Sequence, residues 1–157
     1  MKLIRKYLQF SLYLGIALIV LAMVLGHFHN WRGKAVLLTT DKTNVFITSK
    51  NEIKIVPYAL TLERFNRTYY DSGEPKKFEA IIDVEENNEL KSISLYVNHP
   101  CKMGFGEDLY LIGYDRENPE DSKFCIVELV YDPFQGVVLV GIILMILGLI
   151  LSVLEHR

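Results

Sequence analysis

Residues 77–97 read KFEAIIDVEENNELKSISLYV. Phe78, Ala80, Ile82 and Val84 alternate with Glu79, Asp83 and Glu85, the period-two pattern of a strand with one buried and one wet face. Asn87-Asn88 interrupts the run with residues that favour turns. Ile93, Leu95 and Val97 then resume the alternation on the way back. The stretch reads as two antiparallel strands, and it sets the fold class of everything around it.

Working outward, AVLLTT (Ala35–Thr40) and NVFITS (Asn44–Ser49) flank Asp41-Lys42-Thr43, a second hairpin signal. EIKIVPYALTLERF follows, with Pro57 demanding an edge, a bend or a fresh start at Tyr58. After the turn residues Asp71-Ser72-Gly73-Glu74-Pro75 comes the quoted pair of strands. DLYLIGYD, the polar loop RENPEDS and KFCIVELVY complete the segment. Turn signals recur about every ten residues and no helical period persists, which predicts an antiparallel β-sandwich or open barrel of roughly seven to nine strands.

The two ends differ sharply. Residues 7–28, YLQFSLYLGIALIVLAMVLGHF, and 134–154, FQGVVLVGIILMILGLILSVL, contain no Asp, Glu, Lys or Arg. A helix of about 22 residues rising ~1.5 Å each covers roughly 33 Å, enough for a bilayer core of about 30 Å. The first run is too long for a signal-peptide core and GHFHNWRGKA lacks a small-x-small cleavage site, so it reads as a retained anchor. Gly136, Gly141 and Gly148 suit a membrane helix, and Gly141 and Gly148 offer a small-residue face to helices of another subunit. The expected order is a cytoplasmic N-terminus at 1–6, a first transmembrane helix at 7–28, an extracytoplasmic β-domain at 29–133, a second transmembrane helix at 134–154 and a cytoplasmic tail at 155–157. Lys2, Arg5 and Lys6 set that orientation by the positive-inside bias, against the weaker pull of Arg32 and Lys34. Trp31 suits the outer interface as an aromatic anchor.

The middle segment holds 13 Lys+Arg against 18 Asp+Glu, a net charge of −5. That excludes the basic face a nucleic-acid partner rewards. No nucleophile elbow, P-loop or dinucleotide fingerprint is present, and no carboxylate pair stands out, so no catalytic residue is assigned. Asn66-Arg67-Thr68 fits the glycosylation pattern, which is short enough to arise by chance. Cys101 and Cys125 are the only cysteines. In an oxidising compartment they form a disulfide if the strands bring them together; otherwise Cys125, between Phe124 and Ile126, is a buried, inert thiol. There is no Cys-x-x-Cys and no zinc ligand set. His27 and His29 stand where the first helix ends. Two residues apart, they point in different directions, so each is a candidate haem-iron ligand singly rather than as a pair.

The stretch YVNHPCKMGFGEDLYLIGYD, with Val97, Asn98, His99, Pro100, Gly104 and Tyr110, resembles the ResB-like family of cytochrome c biogenesis proteins. So do Gly73, Pro75, Lys76 and Phe78, and the step at Asp132, Pro133 and Gly141 into the last helix. The resemblance implies an accessory, non-catalytic membrane subunit of System II cytochrome c maturation in the bacterial inner membrane. Its implied partners are a CcsA-like membrane protein, apocytochrome c and the lipid bilayer, with haem handled through the partner complex. Members of that family usually carry more helices and a longer outer domain, so this chain is not expected to carry haem across alone. Asn98, His99 and Pro100 then read first as a structural turn: Asn98 turns the chain, and Pro100 pushes His99 towards an extended conformation. As the family's motif, they are also a candidate partner-docking loop.

Overall fold

The computed structural model describes residues 2–69, 71–72, 75–115 and 122–155. Gly73, Glu74, the loop residues 116–121 and the tail at 156–157 lie outside the described residues. The chain divides into two units, residues 1–30 with 132–157, and residues 31–131.

The first unit is a pair of helices, α1 (Lys2–His29) and α2 (Gln135–Glu155). Both are long and apolar enough to cross a membrane, over Phe10–His29 and Gln135–Val153, with mean hydropathy 2.1 and 3.0. Their outer surfaces, including Tyr13, Val20, Leu21, Leu139, Ile146 and Leu149, are exposed. Such an all-round apolar pair is stable only in a hydrocarbon surround. The helices meet through small residues. A Cβ on Gly15 would lie 2.6 Å from the Gly141 carbonyl oxygen, and one on Gly141 would lie 2.7 Å from Ile19 Cγ1. Ser11 Oγ donates to the Leu144 carbonyl at 2.9 Å. Ala22 and Gly26 continue the buried stripe of α1, and Gly148 is buried on α2. The expectation that Gly148 and, above all, Gly141 serve another subunit is therefore corrected. The bare face of Gly141 packs against this chain's own α1, because Gly15 offers a matching gap.

The second unit is one antiparallel sheet of eight strands: β1 (Trp31–Leu38), β2 (Thr43–Thr48), β3 (Ile53–Tyr69), β4 (Pro75–Glu86), β5 (Glu89–Tyr96), β6 (Cys101–Gly104), β7 (Glu107–Tyr114) and β8 (Phe124–Tyr131). The spatial order is β5-β4-β3-β2-β1-β8-β7-β6. β1 and β8 pair from Trp31↔Tyr131 to Leu38↔Phe124, so the chain enters and leaves the sheet at the same end. The order is that of an up-and-down barrel with one join, β5 to β6, left open. Leu37, Phe46, Leu60, Ile82, Leu95, Leu109 and Leu129 have no exposed surface. With no second layer in the unit, that burial requires the sheet to curl on itself, which selects the open barrel of the two expected arrangements.

Local chemistry explains the curl. Register shifts at Leu62/Arg64 in β3 and Leu111/Gly113 in β7 are bulges, which raise local twist. The β3 bulge is why Leu62 and Phe65 both face inward although three residues apart. Pro57 lies inside β3, where the β2 pairing slips from Val45↔Ile55 to Thr43↔Leu60 and before the β4 pairing begins at Ala59. The expected edge strand and the fresh start at Tyr58 are corrected: β3 is central and continuous, and Pro57 is accommodated where the ladder is interrupted, so its missing N–H costs no pairing. Asn87 and Asn88 both have positive φ, 51° and 65°, the pair of values a two-residue I′ hairpin requires. Trp31 packs partly against the barrel core and lies 6.0 Å from the Tyr131 ring.

Candidate functional site

In the helix unit, both histidines are exposed at the end of α1. His29 Nδ1 lies 2.9 Å from the Leu25 carbonyl oxygen, and its ring stands edge-on to Phe134 at 5.7 Å. A carbonyl only accepts, so Nδ1 carries a proton, and in the neutral ring Nε2 is the nitrogen with the free lone pair. His27 instead lines an open pocket of about 430 Å³ with Ala22, Gly26, Asn30, Asp132 and Phe134. The structure thus separates the two imidazoles, as their spacing on a helix dictates. Asp132 accepts from the Phe134 N–H at 3.2 Å, organising the turn into α2.

In the β unit, Asn98 has φ 64° and the His99 N–H donates to the Tyr96 carbonyl at 3.2 Å. This is a tight turn whose third position needs positive φ, met by asparagine. His99 and Pro100 are exposed, and His99 Nδ1 lies 3.3 Å from the Val97 carbonyl. Lys77, Phe78 and Tyr96 line an open pocket of about 530 Å³ beside the turn. Tyr96 donates to Glu79 Oε1 at 2.6 Å, and that hydrogen bond holds the Glu79 carboxyl below its ordinary range. The Lys77 ammonium sits 3.9 Å from the centre of the Tyr96 ring. Strands β4 and β5 therefore brace the turn from below. Among the described residues, no group of three or more His, Cys, Asp or Glu is placed to hold a metal.

Both cysteines are free thiols. Cys101 pairs across to Leu109, and Leu109 to Leu129. Cys125 is four residues further along β8, about 13 Å at ~3.3 Å per residue, and two strands away, about 10 Å more. A disulfide needs Cα atoms within about 7 Å. Of the two expectations the register keeps the inert thiol, and burial pushes Cys125 up to about 12. A maleimide is expected to label Cys101 in the folded protein and Cys125 only after denaturation. Two labelled thiols on the native chain would contradict the packing. A thiol raised from 9.0 adds stability that is full below about pH 9 and fades as the pH climbs towards 12.

Three features were missed in the sequence. The small-residue stripe Ser11, Gly15, Ala22 and Gly26 was visible as spacings of four and seven. Tyr58, buried, donates to Glu107 Oε2 at 3.0 Å across the barrel; burial first, then Glu107, pushes the phenol up. Tyr114 packs against both Phe65 and Phe78, at 5.1 and 4.8 Å, in a cluster whose two phenylalanine rings are 6.5 Å apart. Neither of the last two has a local signal, since each joins distant strands.

These features define a membrane protein that carries an open β-barrel between two apolar helices. The sequence matches the ResB-like family over residues 5–128, and the chain belongs to that family. The match takes in the Val97–Tyr110 segment and stops short of Asp132 and Gly141. Membership implies involvement in cytochrome c biogenesis. No curated protein matches the sequence.

Proposed function

We propose that this chain is an accessory, non-catalytic subunit of System II cytochrome c maturation. It works with a CcsA-like membrane protein in delivering haem and presenting apocytochrome c for thioether attachment. The single observation that carries the reading is the family match over residues 5–128. In this reading both helices span the bacterial inner membrane, and the barrel lies on the extracytoplasmic side.

Haem fits the donor set in a limited way. His29 is held by the Leu25 carbonyl in the tautomer that leaves Nε2 open, the arrangement that orients imidazole ligands of iron. His27 borders a pocket with room for a ligand edge. The two do not converge, so each offers one imidazole and the remaining coordination falls to the partner. Bound haem supplies the vinyl groups on which thioether bonds form; this chain's residues hold and orient. The Asn98-His99-Pro100 turn, exposed and braced by Tyr96, is the proposed docking loop for the partner.

Deleting the gene is expected to abolish covalently haem-stained c-type cytochromes, with rescue by the intact chain. Normal staining in a strain with no second copy would overturn the reading. Purification from membranes with a different stoichiometric partner, and without haem absorbance, would favour a scaffold in another envelope complex.

A further inference from the structure

The barrel has one open join. The turn residue His99, ahead of β6, makes an isolated antiparallel bridge to Tyr96 at the end of β5, and among the described residues no ladder pairs β5 with β6. An open cleft of about 320 Å³ lies between them, lined by Val84, Glu86, Glu89, Lys91, Ile93 and Met103 among others. β5 hydrogen-bonds to β4 over Glu89–Tyr96, so its other edge, from Glu89 to Ile93, presents backbone donors and acceptors without a ladder partner. β6 is only four residues long and pairs on its other side with β7.

We infer that this seam is a strand-acceptor site, which takes an extended segment of another protein by β-augmentation. Two free backbone edges facing one cleft are matched by a third backbone, since only a strand presents donors and acceptors at the same spacing. The side chains specify what kind of strand. Glu89, Lys91 and Ile93 alternate on one face of β5 and line the cleft. A segment running antiparallel to β5 meets Ile93, Lys91 and Glu89 in that order, two residues apart. The complement is an apolar residue, then an acidic one, then a basic one, each separated by one position, since opposite charges placed across a ladder attract. Val84, Ile93 and Met103 supply the apolar wall for the first of these. The same chemistry disfavours a second copy of this chain. Antiparallel pairing of two β5 edges centred on the free stretch would set Lys91 against Lys91. The inference goes beyond the haem reading and does not depend on it.

The test uses the full chain in lipid nanodiscs and two fluorescein-labelled, capped hexapeptides. One, Thr-Val-Thr-Glu-Thr-Lys, carries the complementary order; the other, Thr-Val-Thr-Lys-Thr-Glu, has its charges exchanged. Fluorescence anisotropy is expected to show saturable binding of the first and about tenfold weaker binding of the second, a difference of ~1.4 kcal/mol. The double variant Glu89→Lys, Lys91→Glu, both at exposed positions, is expected to reverse that order. A copy of the first peptide N-methylated at alternate amides is expected not to bind, because strand addition uses those N–H groups. Three results would each overturn the proposal. The first is no saturable binding of either peptide. The second is equal binding of both that the double variant leaves unchanged. The third is an Ile93→Cys, Cys101→Ser variant that cross-links to itself between copies, which would make the occupant a second chain.

Discussion

Replacing Gly141 with leucine is expected to separate α1 from α2. Even one added carbon at this position lies 2.7 Å from Ile19 Cγ1 and 2.9 Å from the Gly15 carbonyl oxygen. A side-chain carbon can swing aside, but a helix carbonyl cannot, so the helices must move apart. In lipid that movement is costly, because apolar tails solvate both surfaces equally well and only close packing and hydrogen bonds favour the pair. The Ser11–Leu144 hydrogen bond is lost with it. Overpacking of this kind costs about 1–3 kcal/mol or more. Spin labels at the exposed Val20 and Leu139, in a Cys101→Ser background, are expected to give a defined distance with Gly141 in place and a broad distribution in the variant. Gly136→Leu serves as the control, since a Cβ there meets nothing within 4 Å. An unchanged distance in Gly141→Leu would contradict the packing.

The second large effect is Phe46→Ala, expected to lower the stability of the barrel by about 3–5 kcal/mol. Phe46 is fully buried and is the largest such side chain among the described residues. It sits on the bare backbone of Gly33, where a Cβ would come within 2.9 Å of Phe46 Cβ. Removing the ring leaves a cavity that the paired strands β1 and β2 cannot collapse without breaking their ladder. A domain of ordinary stability has only about 5–15 kcal/mol in total, so the loss is a large part of it. Trp31, the only tryptophan, would lie 3.3 Å from that same Gly33 Cβ and reports on the site. Denaturant unfolding followed by its fluorescence is expected to show a lower midpoint at unchanged slope. Gly33→Ala alone should destabilise by overpacking. Combined with Phe46→Ala the cost should persist in full, because alanine at 46 keeps the Cβ that the added methyl meets.

Much of the architecture was legible because it is local. The alternation from Phe78 to Val84 needs only a core on one side, and the Asn87-Asn88 turn needs only residues that accept positive φ. The charge-free ends are likewise a property of single segments. What was not legible depends on long-range pairing. Nothing near Trp31 announces that its partner is Tyr131, so sandwich and open barrel could not be separated. The bulge that brings Phe65 into phase with Leu62 has no turn residue to mark it. Gly141 taken within its own segment points outward, because its meaning lies in Gly15 at the other end of the sequence. The same holds for the site. The Asn98-His99-Pro100 turn was readable from its residue types, whereas the separation of Cys101 from Cys125 follows from the ladder through Leu109 and Leu129.

The pairing of β1 with β8 also governs when the domain can form. Its first strand leaves the ribosome almost a whole domain's length before the strand that completes it. Until Phe124–Tyr131 is made, one edge of β1 stays bare and the barrel interior stays wet. Folding dominated by such distant contacts is slow, and the waiting intermediate is prone to aggregate. Truncation anywhere before β8 should therefore yield a chain that is degraded rather than a smaller working barrel.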